Sequence, residues 1–515
     1  MNTTLYYNGK IYTMERENEC FDSMLVRDGR IAGLYVNKPK LNEKVMEVNL
    51  EGKAMIPTFS DAHMHFVFSS FLIGMGLSIS DITKDGIVPN DLKGVRDKIG
   101  KYISETNTKD VLCFNYMVAS IKEERLPTRF ELEEWFPDTN ISIISMDGHS
   151  SAHTKEILKY AGIYSEDNNG ILSGEDHEFN TGSLFGYYQK KKLNLFSMIK
   201  ALKKYTNTLL SYGVTDITCL ESSDDQLDNL PFTMAKIARR ISKVTIRVSP
   251  QLTDKKIVDK LVGKDENKKV GGCGTWELDG AIGSKTAAFE IPYLNDGNNC
   301  GKAYYDLEQV KRMIGTFTDD EYQVLIHAIG SNAIDIAINA YAEILGDKSE
   351  NPNRCRIEHF EFPLDEHIKK AADMNLYVSV QPGYSWMDKT YQHSYENWID
   401  ERLFKRQIPL KKIYDMGIYM LGSSDSPVQL PNPFIQIQGM VNYPIEDQRL
   451  SVYEALRVYT YNNAMGNFAE DTKGSLKEGK DADFLILDRN PFEIDKEGLI
   501  DIKVMNTYVK GKKVY

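Results

Sequence analysis

Short apolar segments alternate with helical segments through the middle of this chain, and this alternation restricts the fold more than any other feature. Helical segments such as Leu307–Thr318 and Ala333–Leu345 lie between most of the apolar segments. The eight predicted strands are Ala54–Phe59, Thr215–Cys219, Thr245–Gln251, Gly274–Leu278, Gln323–Ala328, Arg354–His359, Leu376–Gln381 and Ile418–Ser423. We therefore predict an α/β fold with a (β/α)8 TIM-like barrel, and keep a doubly wound open sheet as the alternative.

The two ends of the chain have a different pattern, that of short strands joined by tight turns. Asn8-Gly9 and Asp28-Gly29 are hairpin signals among extended segments at the start. Ala482–Leu487 and Val504–Lys510 are strand-like segments near the end. We predict that both ends complete one small β-sandwich domain, with two independent β-appendages as the alternative.

The segment between the first two predicted strands is too long to be a loop. Val111–Met117 and Ile141–Met146 read as strands there and Arg129–Trp135 as a helix, so we expect an insertion that could cover the barrel mouth. The predicted organisation is a discontinuous β-sandwich domain at residues 1–55 and 470–515 and a barrel at residues 56–469, with the insertion at about 70–195.

The charge and the cysteine pattern exclude several kinds of partner. A formal net charge of −12 argues against nucleic acid and against an anionic membrane surface, because both favour a basic protein. The six cysteines form no Cys-x-x-Cys pair, and the N-terminus lacks the pattern of a secretory signal. We expect a cytoplasmic protein with a small-molecule substrate, a homodimer as the simplest oligomer, and any metal held by His and carboxylate rather than thiolate.

Metal-binding types of side chain recur where the predicted strands end. His63 and His65 share one face of an extended segment, since alternate residues of a strand point the same way. His327, His359 and Asp425 end three later strands, and the carboxyl ends of barrel strands meet at one mouth. Any one of these residues alone could be structural. Together they predict a site for Zn²⁺ or another divalent first-row metal.

The fourth predicted strand adds two carboxylates. Glu277 and Asp279 alternate with Trp276 and Leu278, so both would point to the same side. If that side is inward, Glu277 could bridge two metals and Asp279 could orient a ligand. Alternatively, Asp279 makes a turn with Gly280.

These residues belong to stretches that resemble the amidohydrolase superfamily, in the N-substituted formamide deformylase-like branch, amidohydrolase family 3. The resemblance covers nearly the whole chain. The matching stretches are Ile56–His65, Tyr212–Thr215, Leu278–Ala288, His327–Gly330, Ile357–His359, Gln381-Pro382, Ser424–Pro427 and Gly474–Asp483. The resemblance implies a metal-dependent hydrolase with a barrel and a small β-sandwich built from both chain ends.

The resemblance also implies roles for individual residues. Asp425 would bind metal and act as the general acid/base. The other implied metal ligands are His63, His65, His327 and His359. Many members of the superfamily carry a carboxylated lysine at the fourth strand that bridges two metals, whereas the inward candidates here are Thr275, Glu277 and Asp279. We therefore expect two metals bridged by Glu277, or a single metal.

The expected reaction is hydrolysis of a C–N bond in an amide, formamide or cyclic amide, other than a peptide bond. One or two bound Zn²⁺ ions would lower the pKa of water to about 7, and Asp425 would take its proton and pass it to the leaving amine. The alternatives are a deaminase, an ester or lactone hydrolase, and a non-catalytic metal-binding regulatory protein. Deaminases of the superfamily commonly place Glu three residues after the fifth-strand His, where this chain has Gly330.

Five further residues are candidates for contact with the substrate. Each could instead have a purely structural role: the His in a surface loop, the Asp in a turn, the Lys in contact with solvent, and the aromatic residues in the core. The candidates are His149, Asp279, Lys285, Tyr384 and Trp386.

Overall fold

The computed structural model describes residues 3–83, 86–192, 195–224, 229–264, 268–346, 351–384 and 394–515. Its central strands form two sheets in which every strand pair is parallel. The three-stranded sheet has the order Thr245–Gln251, Val214–Ser223, Phe59–Met64. The five-stranded sheet has the order Lys269–Gly271, Gln323–Ala328, Arg356–His359, Tyr377–Val380, Met420–Gly422. The predicted mixed α/β class is confirmed.

The two parallel sheets contact each other at both pairs of edges. At one junction the Ser249 hydroxyl donates a hydrogen bond of 2.9 Å to the carbonyl oxygen of Gly271. At the other junction the Asp425 amide donates to the His63 carbonyl at 2.9 Å, and the His65 amide donates to the Ser426 carbonyl at 2.8 Å. The carboxyl ends of the first and last strands are therefore tied together where the predicted metal ligands lie.

Helices connect the strands, and their sequences explain their boundaries. The helix Leu307–Thr318 begins at a capping box, in which the Asp306 side chain accepts from the Gln309 amide and the Gln309 side chain accepts from the Asp306 amide. It buries Val310, Ile314 and Phe317, which lie on one face at helical spacing. The described α-helices are Phe66–Met75, Leu92–Thr106, Arg129–Trp135, Lys155–Tyr160, Glu175–Glu178, Thr181–Lys192, Leu195–Ser211, Leu230–Ile241, Lys255–Val262, Leu307–Thr318, Ser331–Leu345, Asp365–Asp373, Ser394–Trp398, Glu401–Phe404, Leu410–Asp415, Pro433–Val441, Val452–Arg457 and Asn463–Gly466. Within the described ranges, no helix is both long and apolar enough to cross a bilayer.

Strands from the two ends of the chain pair in one sheet. Its six strands are, in order, Lys512–Lys513, Val504–Val509, Phe484–Leu487, Ala54–Pro57, Lys10–Tyr12 and Cys20–Phe21. A second, four-stranded sheet has the order Arg30–Tyr35, Ser23–Arg27, Thr3–Tyr7, Met46–Asn49. Tyr6 of the second sheet packs edge-on against Phe484 of the first, with 4.9 Å between ring centroids, so the two sheets share an apolar core.

The first predicted barrel strand, Ala54–Phe59, is split between two sheets. Ala54–Pro57 pairs with Phe484–Leu487 in the terminal six-stranded sheet. The backbone then changes partner: the Thr58 amide donates to Asp483, and the Phe59 amide donates to Gly213 beside the second parallel strand. The strand that carries His63 therefore begins at Phe59, and the uninterrupted apolar run concealed this change.

The fourth predicted strand, Gly274–Leu278, is also displaced. The strand covers Lys269–Gly271, and Gly274–Trp276 is a single 3-10 turn. Gly271, Gly272 and Gly274 have φ values of 89°, 119° and 60°, which turn the chain out of the sheet. As a result Cys273, rather than a carboxylate, follows this strand end.

The long segment after the first parallel strand contains its own sheet. Five strands have the order Ile171–Ser173, Ser150–His153, Asn140–Ser145, Asp110–Tyr116, Leu77–Ser78. The expected strands near 111–117 and 141–146 and the helix Arg129–Trp135 are all present. A short two-stranded pair, Ile82–Thr83 with Gly86–Ile87, lies beside them in the sequence. The turn Met146–Gly148 after the strand Asn140–Ser145 brings His149 to the predicted metal centre.

Candidate metal centre

The predicted histidines meet at the carboxyl ends of the parallel strands. His63, His327 and His359 are at most 3% exposed, and His65 is partly open. The ring centroids of His327 and His359 are 4.4 Å apart, and those of His63 and His359 are 5.1 Å apart. The His63 and His65 centroids are separated by 5.7 Å. The four imidazoles thus form one buried cluster.

Asp425 completes this cluster from the end of the last parallel strand. Its Oδ1 lies 3.2 Å from His63 Nε2 and 3.4 Å from His65 Nε2. Its Oδ2 accepts a hydrogen bond of 3.0 Å from the Tyr384 hydroxyl. Burial alone would raise the pKa of Asp425, but His63 and His65 hold that pKa well below its usual value. Asp425 is therefore a carboxylate facing the histidines.

Cys273 is the central residue that sequence reasoning missed. Its Sγ lies 3.4 Å from His63 Nε2 and 3.9 Å from His327 Nδ1. Of the four sets of described side chains whose ligand atoms lie within 4.8 Å of one another, three belong to this cluster, and two of these contain Cys273: His63/His65/Cys273, Cys273/His327/His359 and His63/His359/Asp425. The Gly271-Gly272-Cys273-Gly274 run after the fourth strand was the available signal, since its glycines allow a tight turn toward the other strand ends.

The expectation that Glu277 bridges two metals stays a prediction. The Glu277 carboxylate groups with His149 and Glu178, in a separate set of candidate ligands. Gly274–Trp276 is a 3-10 turn, and Glu277 after it rejoins the sheet in a single parallel bridge to His327. Burial and the nearby Glu178 raise the pKa of Glu277 well above its usual value.

Asp279 lies beneath the histidine cluster and accepts backbone hydrogen bonds. Its Oδ1 accepts from the Ile329 amide at 2.9 Å, and its Oδ2 accepts from Ala288 and Gly330 at 2.8 Å each. Burial raises its pKa to about 7, although these amides act in the opposite direction. Asp279 thus orders the backbone at residues 288 and 329–330, and its contact with a substrate stays a prediction.

A buried ion pair orients His63. Its Nδ1 lies 2.7 Å from Glu358 Oε2, while the other Glu358 oxygen accepts from Arg356. Arg356 also donates to the carbonyl of Ala62 at 2.7 Å. This contact places the Nδ1 proton toward Glu358 and leaves His63 Nε2 free to face Cys273 and Asp425. Sequence reasoning assigned no role to Glu358 or Arg356.

The residues predicted to contact substrate lie in different environments. His149 Nδ1 lies 2.6 Å from Glu178 Oε1, and its ring centroid is 5.4 Å from that of His327. Burial alone would lower the pKa of His149, but Glu178 raises it to about 10. Lys285 instead lies 3.9 Å from Asp296, a half-exposed ion pair. Tyr384 contacts Asp425, and Trp386 lies outside the described residues.

Several atoms of the cluster are buried without a hydrogen-bond partner, which fits a cation. They are His327 Nε2, His359 Nε2 and Asp425 Oδ1. Leaving such lone pairs unsatisfied is costly unless a ligand takes them up. Burial lowers the pKa of His327 well below its usual value and that of His359 to about 4, so both rings are neutral, the form that binds metal. The imidazole, thiol and carboxylate donors together suit a first-row divalent metal.

A family comparison agrees with this donor set. A model described as "Amidohydrolase family" matches residues 46–515. The chain belongs to the amidohydrolase family. The resemblance expected from the sequence is therefore confirmed, and the protein is a hydrolase by family.

Individual relatives of this amidohydrolase match along almost their whole length. The putative amidohydrolase YtcJ of Bacillus subtilis is 27% identical and the match covers 99% of each chain. An N-substituted formamide deformylase of Arthrobacter pascens is 24% identical, with 99% of this chain and 98% of that one covered. A crystal structure of a metal-dependent hydrolase from Pyrococcus furiosus has a TM-score of 0.72 at 21% identity, covering 95% of this chain and 100% of that one. That structure shows a shared fold.

Proposed function

We propose that this amidohydrolase hydrolyses a C–N bond in an amide, formamide or cyclic amide at a centre of two divalent ions, Zn²⁺ being the best match to the donors. The observation that carries the proposal is the place of Cys273, whose sulfur belongs to both the His63/His65 and the His327/His359 ligand groups. Cys273 would contribute a thiolate ligand to both groups, the role expected of Glu277 from the sequence. When bound, such ions polarise a scissile carbonyl and acidify the attacking water.

Asp425 is proposed as the general acid/base. Its Oδ2 is fixed by the Tyr384 hydroxyl at 3.0 Å, while its Oδ1 is buried and has no hydrogen-bond partner. That free oxygen can hold the attacking water, accept its proton and deliver the proton to the leaving amine. Tyr384 thus orients the carboxylate.

His149 is proposed to bind the carbonyl oxygen of the substrate. Glu178 accepts from its Nδ1, which directs Nε2 away from Glu178, and His149 lies on the wall of both cavities beside the centre. A protonated imidazole there would donate a hydrogen bond to the oxygen that gains negative charge during hydrolysis.

We also propose a larger organisation that is consistent with these contacts. The edge-to-edge hydrogen bonds between the two parallel sheets support a closed (β/α)8 barrel, and the mixed terminal sheets support a β-sandwich domain at 1–55 and 470–515. The six cysteines are free, in keeping with a reducing cytoplasm.

The decisive variant for the proposed chemistry is Asp425→Asn. We expect kcat toward amides to fall by about 10²- to 10⁴-fold, because an amide side chain cannot accept the proton of water. The measurement is turnover of an amide panel by purified protein of known metal content. Asp447→Asn, an exposed Asp on the surface, is the matched control and should keep full activity. Undiminished turnover by Asp425→Asn, or no amide turnover by the unchanged protein, would defeat the proposal.

A further inference from the structure

Two cavities open on either side of the proposed reaction centre. The tyrosine lobe is lined by Tyr116, Met117, Tyr384, Tyr395 and Trp398. The phenylalanine lobe is lined by Phe68, Phe71, Leu72, Phe114 and Phe185, and its wall also includes His65, Cys273 and His327 of the proposed centre. Both lobes share a wall formed by His149, His359 and Asp425 together with Ser145, Met146, Asp147 and Val428. The proposed acid/base therefore lines both cavities, each of which has a group of apolar side chains in its wall.

Each cavity has a volume of the order of one six-membered ring, and in the phenylalanine lobe this volume includes the space beside Cys273 and His327. The cavity volumes are about 110 Å³ for the tyrosine lobe and about 160 Å³ for the phenylalanine lobe. An apolar cavity of about 150 Å³ is large enough to hold benzene. Each lobe also contains an aromatic pair: Tyr395 and Trp398 have ring centroids 6.4 Å apart, and Phe68 and Phe185 meet edge-on at 4.3 Å.

The charges around the lobes disfavour an anionic ligand. Of the lining residues that the structure describes, none is Lys or Arg, and several are acidic, including Asp147, Glu361 and Glu178. Lys285, a substrate candidate from the sequence, is turned to Asp296 and lines neither lobe. A carboxylate placed in either lobe away from the shared His149 would lose its hydration without gaining a Lys or Arg partner from the described walls.

We infer that the substrate carries two uncharged apolar arms, one on the acyl carbon and one on the amide nitrogen, and that each lobe holds one arm. This inference rests on the proposed amide hydrolysis, because it needs the scissile bond at the junction of the lobes. The arms are each about the size of a phenyl ring. A carboxylate on either arm is disfavoured.

Three neutral amides of similar intrinsic reactivity test the inference with the metal-containing protein. N-benzylacetamide has the amine arm, N-methylphenylacetamide has the acyl arm, and N-benzylphenylacetamide has both. We expect kcat/KM for the two-armed amide to exceed kcat/KM for each one-armed amide by about tenfold to a hundredfold. This is the gain that the free energy of burying one further ring would give. A para-carboxylate on either ring should lower kcat/KM by at least tenfold.

Variants in the two lobes assign the arms. Trp398→Ala and Phe68→Ala should each lower kcat/KM for the two-armed amide. Each variant should also lower kcat/KM for one of the two one-armed amides, and the affected one-armed amide should differ between the two variants. A general structural defect would instead lower all three. Phe130→Ala removes a phenylalanine that is 51% exposed and should change none of them.

The outcomes separate this inference from the proposed function. Failure of every amide to react would contradict amide hydrolysis itself. Equal kcat/KM values for the three amides, or undiminished turnover of the carboxylated analogues, would overturn the two-arm inference while leaving amide hydrolysis in place. The inference would also be overturned if each lobe variant lowered kcat/KM equally for both one-armed amides.

Discussion

At the scale of single residues, Glu358 shows how a buried charge prepares the centre. The side chain is fully buried between Arg356 and His63. Burial alone would raise its pKa, but Arg356 and His63 lower it from 4.5 to about 2. Because the folded pKa lies below the ordinary value, the carboxylate stabilises the fold above pH 4.5, and this stabilisation is lost as the pH falls through about 2.

The variant Glu358→Gln tests the orienting role of this carboxylate. The neutral amide no longer compensates Arg356 and holds the Nδ1 proton of His63 less firmly. We expect the metal dissociation constant to rise about tenfold to a hundredfold, the usual effect of losing such a supporting contact. Competition with a chromophoric chelator measures it, and the exposed Glu446→Gln is the control. A folded Glu358→Gln protein with unchanged metal affinity would refute the role.

At the scale of elements, the turn after the fourth strand decides which side chain reaches the centre. Gly271 has φ 89°, and a Cβ there would lie 2.2 Å from the carbonyl oxygen of Leu325 on the next strand. That oxygen accepts the Gly272 amide at 2.9 Å, so it cannot easily move away. The turn and the position of Cys273 thus depend on Gly271 having no side chain.

Gly271→Ala should therefore destabilise the protein and disturb Cys273. We expect a loss of about 1–3 kcal/mol or more in the free energy of unfolding, from backbone strain plus the clash. Gly479→Ala is the matched control, since Gly479 has φ 91° but nothing within 4 Å of its built Cβ. Thermal unfolding monitored by circular dichroism compares the two. Equal destabilisation by both substitutions would show that the contact with Leu325 carries no cost.

The sequence predicts the structure correctly where the spacing of apolar residues and the residue types agree. It does not predict the structure where the backbone conformation determines which side chain reaches the centre. The strands Thr245–Gln251 and Gln323–Ala328 lie where their apolar patterns predicted them, and the strand-end rule brought His327 to the other histidines. The spacing of apolar residues cannot show that a segment changes from one sheet to another, as the first predicted strand, Ala54–Phe59, does. It also cannot show the positive φ values of Gly271, Gly272 and Gly274, which bring Cys273 to the end of the fourth strand.

At the scale of the whole molecule, the two ends of the chain and the parallel strands support one centre. Ala54–Pro57 is held by the C-terminal strand Phe484–Leu487, and the chain then continues directly into the strand that carries His63. Asp425, more than 350 residues later, lies at the same point, where its backbone amide donates a hydrogen bond to the His63 carbonyl. The fold thus brings distant donors together around a space that the formal net charge of −12 makes favourable for cations.

The most direct test of this account is anomalous scattering at the zinc absorption edge from crystals of the zinc-loaded protein. We predict two peaks per chain, both within bonding distance of Cys273 Sγ, one next to His63 and His65 and the other next to His327 and His359. Fewer than two peaks, or peaks that bind Glu277 and leave the Cys273 sulfur out of reach, would contradict it.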